Sequence, residues 1–141
     1  MNQSVLRVED LRVYYHTLLG PVKAVDEVGF FLKQGEGLGL VGESGCGKST
    51  AALALMRLIK PPGRIEGGQV LLENRDLLQL AAEEMRRVRC AQISLVPQGA
   101  MNSLNPIMRI KDQIIDTIKA HDRGFPKREL NERVRELLAW V

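Results

Sequence analysis

Residues Gly42-Glu43-Ser44-Gly45-Cys46-Gly47-Lys48-Ser49-Thr50 combine three glycines, a lysine and a run of hydroxyls in the spacing G-x-x-x-x-G-K-[ST]. Small residues let successive backbone N–H groups converge on an anion, and the lysine adds a point charge. The apolar run Leu38-Gly39-Leu40-Val41 stands directly before it, and helix-forming residues 51–59 follow at once. A helix starting there aims its unpaired N-terminal N–H groups and positive dipole end at the same anion. The chemistry implied is phosphate binding. At ordinary residue frequencies such a match costs roughly 4 × 10⁻⁵ per start position, too little for coincidence to explain it in one chain. Cys46 sits where its backbone N–H matters more than its thiol.

These residues need elements to hold them. Residues 5–13 alternate apolar and polar side chains, interrupted at Glu9-Asp10, and predict an antiparallel strand pair or one bent strand. Gly20-Pro21 is a turn, residues 22–32 resume a strand pattern, and Gln34-Gly35-Glu36-Gly37 turns into a buried strand at 38–41 that ends at the loop. A helix is predicted over 48–59, stopped by Lys60-Pro61-Pro62-Gly63. Residues 69–73 and a strand tail after Asn74-Arg75 form a hairpin, 81–89 a short basic helix, and 92–96 an apolar strand ending at Pro97-Gln98. Helices are predicted over 110–120 and 127–141. The second carries an apolar stripe of Leu130, Val134, Leu137, Leu138 and Val141, with Glu129 and Arg133 paired on its exposed side. Its apolar end without a glycine cap implies that the sequence continues in a parent protein.

Composition narrows the classes. With 141 residues and 45% hydrophobic content the chain can build a sizeable core, as one domain or a piece of one. Its 20 Lys+Arg and 17 Asp+Glu are interleaved, and the net charge of +3 marks no nucleic-acid face. No signal peptide and no stretch of about 18 apolar residues is visible, which implies a soluble or peripheral cytoplasmic protein. Cys46 and Cys90 have no metal-type spacing, and His16 and His121 are isolated surface histidines.

With the loop, the strands before it and Gln98 in view, the chain resembles the nucleotide-binding subunit of an ATP-binding cassette (ABC) transporter. Within that family it is most similar to the oligopeptide/dipeptide/nickel importers. The resemblance rests on Leu11-Arg12-Val13-Tyr14-Tyr15, Val22-Lys23-Ala24-Val25-Asp26, the run from Leu38 to Thr50, and residues 93–106, where Met101-Asn102-Ser103-Leu104-Asn105-Pro106 is the most importer-like piece. It implies an α/β P-loop NTPase fold of ABC type, truncated, with an N-terminal antiparallel β subdomain. Residues 1–98 would form part of the nucleotide-binding core, and 99–141 the Q-loop and the start of the helical subdomain. Gly99-Ala100 stands where relatives usually carry Asp-Pro, and Asn74-Arg75 where they carry Asp-Gly or Asn-Gly, so that hairpin takes another turn type.

The resemblance also assigns roles. ATP and Mg²⁺ are the implied cofactors. Gly42, Glu43, Ser44, Gly45, Cys46, Gly47, Lys48, Ser49 and Thr50 would bind the phosphates. Lys48 reaches the β- and γ-phosphates and Ser49 ligates Mg²⁺. Gln98 would join the metal shell or orient water. Tyr15 would stack on adenine, with Tyr14 the competitor for that role. The implied partners are permease subunits, a second cassette and, indirectly, an extracellular solute-binding protein, at the cytoplasmic face of the membrane and without nucleic acid. The family's Leu-Ser-Gly-Gly-Gln signature, its acidic strand with a catalytic glutamate and its switch histidine do not occur in these residues. The complete protein is therefore expected to be an ATPase and residues 1–141 alone not to hydrolyse ATP. In the implied fold, the strand before the loop and the strand before Gln98 have neighbours from sequence beyond Val141. An interrupted sheet with exposed apolar faces, marginally stable or self-associating, is expected.

Two other classes fit less well. A soluble ABC protein acting on nucleic acid or ribosomes is disfavoured by the weak net charge and by the text at 101–106. A kinase or GTPase is disfavoured by the sheet-rich leader and by the absence of an Asn-Lys-x-Asp run.

Overall fold

The computed structural model describes residues 4–99, 104–121 and 124–140, with the side chain of Lys127 excepted. Expectations for Ala100, Met101-Asn102-Ser103 and Val141 fall outside the described residues. The chain divides into two compact units, Met1–Arg86 and Arg87–Val141.

The first unit is built on a four-stranded antiparallel sheet ordered β2-β1-β3-β4. β1 (Ser4–Thr17) and β2 (Gly20–Lys33) form a long hairpin, β3 (Gly63–Leu72) lies on the other edge of β1, and β4 (Arg75–Asp76) closes a short second hairpin. Of the two readings open for 5–13, the single bent strand is the one formed. Its inward residues are Leu6 and Val8, then Leu11 and Val13, all buried. Period-two alternation would place the third at position 10. The extra residue is taken up by a bulge at Glu9-Asp10, where both neighbouring ladders shift register and Asp10 adopts φ 50°. Gly68 of β3 makes room for it: a Cβ there would stand 2.5 Å from Asp10 O.

Helix α1 (Lys48–Leu55) is shorter than the expected 48–59, and it stops well before the prolines. Arg57 adopts φ 51°, the Arg57 N–H donates to Ala54 O and the Leu58 N–H donates to Leu53 O. This is a Schellman ending with arginine in the left-handed position glycine usually takes. The Arg57 guanidinium holds it there by donating to Leu77 O (3.3 Å) and Leu80 O (2.6 Å). The turn between β3 and β4 is Glu73-Asn74, one residue earlier than expected. With φ 49° and 66° it keeps the type I′ form instead of the other turn type expected, because Glu73 and Asn74 both take positive φ without a glycine. Beyond β4 the expected strand tail is a 3₁₀ turn, Leu77–Gln79, capped by Asp76, whose carboxylate accepts from the N–H of Leu78. The basic helix is α2 (Ala82–Val88) and opens with Glu83 and Glu84.

Two expected strands are absent among the described residues. Residues 38–41 join no ladder, and Leu38, Leu40 and Val41 are exposed. Residues 92–96 form only a single parallel bridge, Arg89 to Ile93. Neither segment has a neighbouring strand to accept its N–H and C=O groups, and without one an apolar run stays extended but unpaired. The exposed apolar surface expected of an interrupted sheet is present.

In the second unit, α3 (Ile110–His121) and α4 (Lys127–Ala139) form as expected. Leu130 and Val134 are buried, while Leu138 is exposed, so the inward stripe of α4 is narrower than its sequence suggests. Arg133 pairs with Glu136 at 2.9 Å instead of with Glu129, and its guanidinium lies 5.5 Å from the centre of the Trp140 ring. Before α3, Asn105 and Gln113 latch the chain. The Asn105 N–H donates to Gln113 Oε1, and Gln113 Nε2 donates to Asn105 O and Met108 O, at 2.9–3.1 Å.

Candidate phosphate-binding site

The loop at 42–50 lies between the unpaired apolar segment and α1. Gly47 caps the helix at φ 94°, and its carbonyl accepts the N–H of Ala51 at 2.8 Å. The first-turn N–H groups at Lys48, Ser49 and Thr50 have no intrahelical acceptor, as at any helix start. No acidic residue stands in that turn to repel an anion. Gly47 is required twice over. Its φ disfavours a side chain, and a Cβ would fall 2.1 Å from the carbonyl oxygen of Ala24. The loop is thus pressed onto β2, and Ala24 and Val25 form its floor. Sequence inspection did not single them out for that, because a backbone carbonyl leaves no mark on residue type.

Lys48 folds back over the loop. Its Nζ donates to Gly42 O and to Glu43 O, both at 2.7 Å, and to Cys46 Sγ at 3.3 Å. An ammonium has three donors, and all three are engaged. The sulfur contact is the weakest, so a phosphate oxygen has one donor it can take at little cost. Cys46 adds this thiol contact to the bond that its N–H donates to Glu43 O at 3.3 Å within the loop. Ser49 is exposed on the first turn and Thr50 is half-buried. Beside the loop is a hollow of about 310 Å³ lined by Val25, Val28, Phe30, Leu40, Gly47 and Lys48. A larger one, about 660 Å³, lies in the second unit between α3 and α4 and is walled by Lys111, Asp112, Ile115, Phe125 and Leu130. We place the site at the smaller hollow because it carries the amide-rich loop and the lysine.

The two tyrosines have different surroundings. Tyr14 donates from its hydroxyl to Asp26, and the Lys23 ammonium lies 5.4 Å from its ring centre. The hydrogen bond from Tyr14, followed by that from Lys23, holds the Asp26 carboxyl below its ordinary range, and the same bond to Asp26 raises the Tyr14 phenol. Tyr14 is thereby committed to an exposed polar cluster. Tyr15 is two residues from buried Val13 on β1, and Val13 opposes Val25, whose Cγ2 would lie 3.7 Å from a Cβ on Gly47. Strand alternation puts Tyr15 on that face, half-buried. Gln98 belongs to the second unit, where it is exposed at a turn completed by Gly99 at φ 73°.

A glycine-rich loop that delivers a lysine into the first turn of a helix has the make-up of a phosphate-binding loop. Comparison with known proteins identifies the family. The ABC transporter family model matches residues 25–141. The chain is 45% identical over 134 residues to the oligopeptide transport ATP-binding protein OppD of Salmonella typhimurium, covering 94% of this chain and 39% of that protein. It is 40% identical over 137 residues to the dipeptide transport ATP-binding protein DppD of Caldanaerobacter subterraneus, covering 97% and 42%. Among solved structures, the dimeric bacterial ABC transporter cassette MJ0796 superposes with a TM-score of 0.75 at 20% identity, over 95% of this chain and 56% of that one, and shares the fold. The chain belongs to the ABC transporter family, and it spans about two-fifths of the length of the curated relatives it matches. No helix among the described residues is long and apolar enough to cross a membrane.

Proposed function

We propose that these residues bind ATP as part of the energising subunit of an ABC importer for peptides, and that the complete protein is an ATPase. The observation that carries this is the loop itself, with Lys48 drawn across Gly42 and Glu43 at the head of α1. Likeness to oligopeptide and dipeptide transport ATP-binding proteins over nearly the whole chain supports the importer class and the peptide cargo.

In this proposal the amides from Gly42 to Thr50 cradle the phosphates, and Lys48 exchanges its sulfur contact for a phosphate oxygen. Ser49 supplies a hard oxygen donor suited to Mg²⁺, which takes much of its coordination from phosphates and water, and Gln98 of the second unit carries an amide oxygen of the same kind. Bound there, the ion would neutralise developing phosphate charge. Tyr15 stacks on the base; its place on the loop-facing side of β1 supports it over Tyr14. Functionally, residues 1–98 act as the nucleotide core and 99–141 as the Q-loop and start of the helical subdomain. The partners are a second cassette, permease subunits at the cytoplasmic face of the membrane and, through them, a solute-binding protein. Residues 1–141 bind nucleotide without hydrolysing it, since no carboxylate here is assigned to activate water.

The experiment is nucleotide titration of the Tyr15→Ala and Tyr14→Ala variants. Tyr15→Ala is expected to weaken ATP and GTP alike, by about 5- to 150-fold, because stacking reads no base edge. Tyr14→Ala should do less; a larger loss at position 14 would reverse the assignment.

A further inference from the structure

We infer that Gly63 and Ile59 position the Tyr15 ring, so that the seat of the base is set by β3 as well as by the tyrosine. This rests on Tyr15 being the base-stacking residue. Tyr15 and Gly63 oppose each other in the β1–β3 ladder. Gly63 is buried, and a Cβ built on it would stand 2.7 Å from Tyr15 Cε1, 3.0 Å from Tyr15 Cδ1 and 2.8 Å from Ile59 Cγ2. Carbon atoms touch comfortably at about 3.5–4.0 Å, so one ring edge and one methyl already fill the space a side chain would need. The backbone does not ask for glycine here, since φ at Gly63 is outside the positive range. The ring does.

The turn delivering Gly63 is tied on both sides. The Gly63 N–H donates to Lys60 O at 2.9 Å, and the N–H of His16, next to the tyrosine, donates to Pro62 O at 3.1 Å. Ring and seat therefore move together. A ring braced along one edge has fewer orientations to lose when a base stacks on it, which improves affinity without adding a contact to the ligand.

Titration of the 141-residue chain with ATP and with inorganic tripolyphosphate separates base from phosphate. Gly63→Ala displaces the ring, and ATP affinity is expected to fall about 5- to 10-fold, within the range of lost stacking, while tripolyphosphate affinity holds. Ile59→Ala leaves β3 untouched and should give a smaller loss of the same kind. In Gly63→Ala/Tyr15→Ala, alanine at 63 should add nothing to the loss from Tyr15→Ala. Equal weakening of ATP and tripolyphosphate by Gly63→Ala would mark general damage to the sheet and overturn the proposal. So would an unchanged ATP affinity, or additive losses in the double variant. If Gly63→Ala does not fold, Ile59→Ala decides, and an unchanged ratio of the two affinities overturns the proposal. Tyr15→Ala with the parent's ATP affinity would instead remove Tyr15 from the site, and the proposal with it, while Lys48→Ala separately tests the phosphate site through tripolyphosphate.

Discussion

Strand β1 is hydrogen-bonded on both edges, to β2 and to β3, and its inward side chains Leu6, Val8, Leu11 and Val13 are buried. Residues 38–41 of the same unit are no less apolar, yet they join no ladder, and Val41 is 96% exposed. The difference lies in the neighbours. Apolar patterning selects a face, but a strand also needs partners for its backbone N–H and C=O groups, and the partner is specified elsewhere in sequence. Where the partner lies just across a turn, as β2 lies across Leu18-Leu19 from β1, the hairpin forms. The segment leading into the phosphate loop has no such partner among the described residues.

The largest expected effect separates the two regions directly. Leu11→Ala removes a side chain with no exposed surface and should cost about 2–5 kcal/mol by urea denaturation. Val41→Ala should stay within about 0.5 kcal/mol. Similar losses at both positions would mean that 38–41 is packed in solution and that the contrast is wrong.

A smaller effect is expected at the sheet edge, where a side chain stands in for a missing strand. Asp76 Oδ1 accepts from the Val70 N–H at 3.3 Å and from the Leu78 N–H at 3.0 Å. Asp76→Ala should cost about 1–2 kcal/mol, from the lost cap and a part-buried donor left unpaired. A neutral result in the same denaturation assay would show that water replaces the carboxylate without penalty.

The smallest effect concerns the exposed polar cluster on the β1–β2 hairpin. Asp26 is held below the ordinary value of 3.8 by Tyr14 and then by Lys23. A depressed carboxylate contributes stability that is present above 3.8 and is lost as pH falls through its folded value. Tyr14→Phe should therefore move the Asp26 titration, followed by carboxyl NMR, back toward 3.8, and any stability difference from the parent should close in strong acid. An unmoved titration would assign the shift to Lys23 alone.

Much of this architecture is legible in the residues. The two long strand patterns and the helices α3 and α4 follow from local signals, period-two alternation and helical periodicity, but the turn between the strands is Leu18-Leu19, and the Gly20-Pro21 expected to turn opens β2. What is not legible depends on distant partners. The expected strands at 38–41 and 92–96 fail for want of neighbours. The end of α1 is misplaced because an arginine, held by Leu77 and Leu80 carbonyls, does the work of glycine. At the site, the candidate loop residues are singled out by spacing. The carbonyl of Ala24 beneath Gly47 and the seat at Gly63 could not, because each records a close approach from another strand.

The central claim is that residues 42–50 form a phosphate site energised by Lys48. Isothermal titration of the Lys48→Ala variant with ATP tests it most directly. Loss of a charged hydrogen-bond donor should weaken binding by about 1.5–3 kcal/mol, roughly 10- to 150-fold. Equal ATP affinity in variant and parent would contradict it.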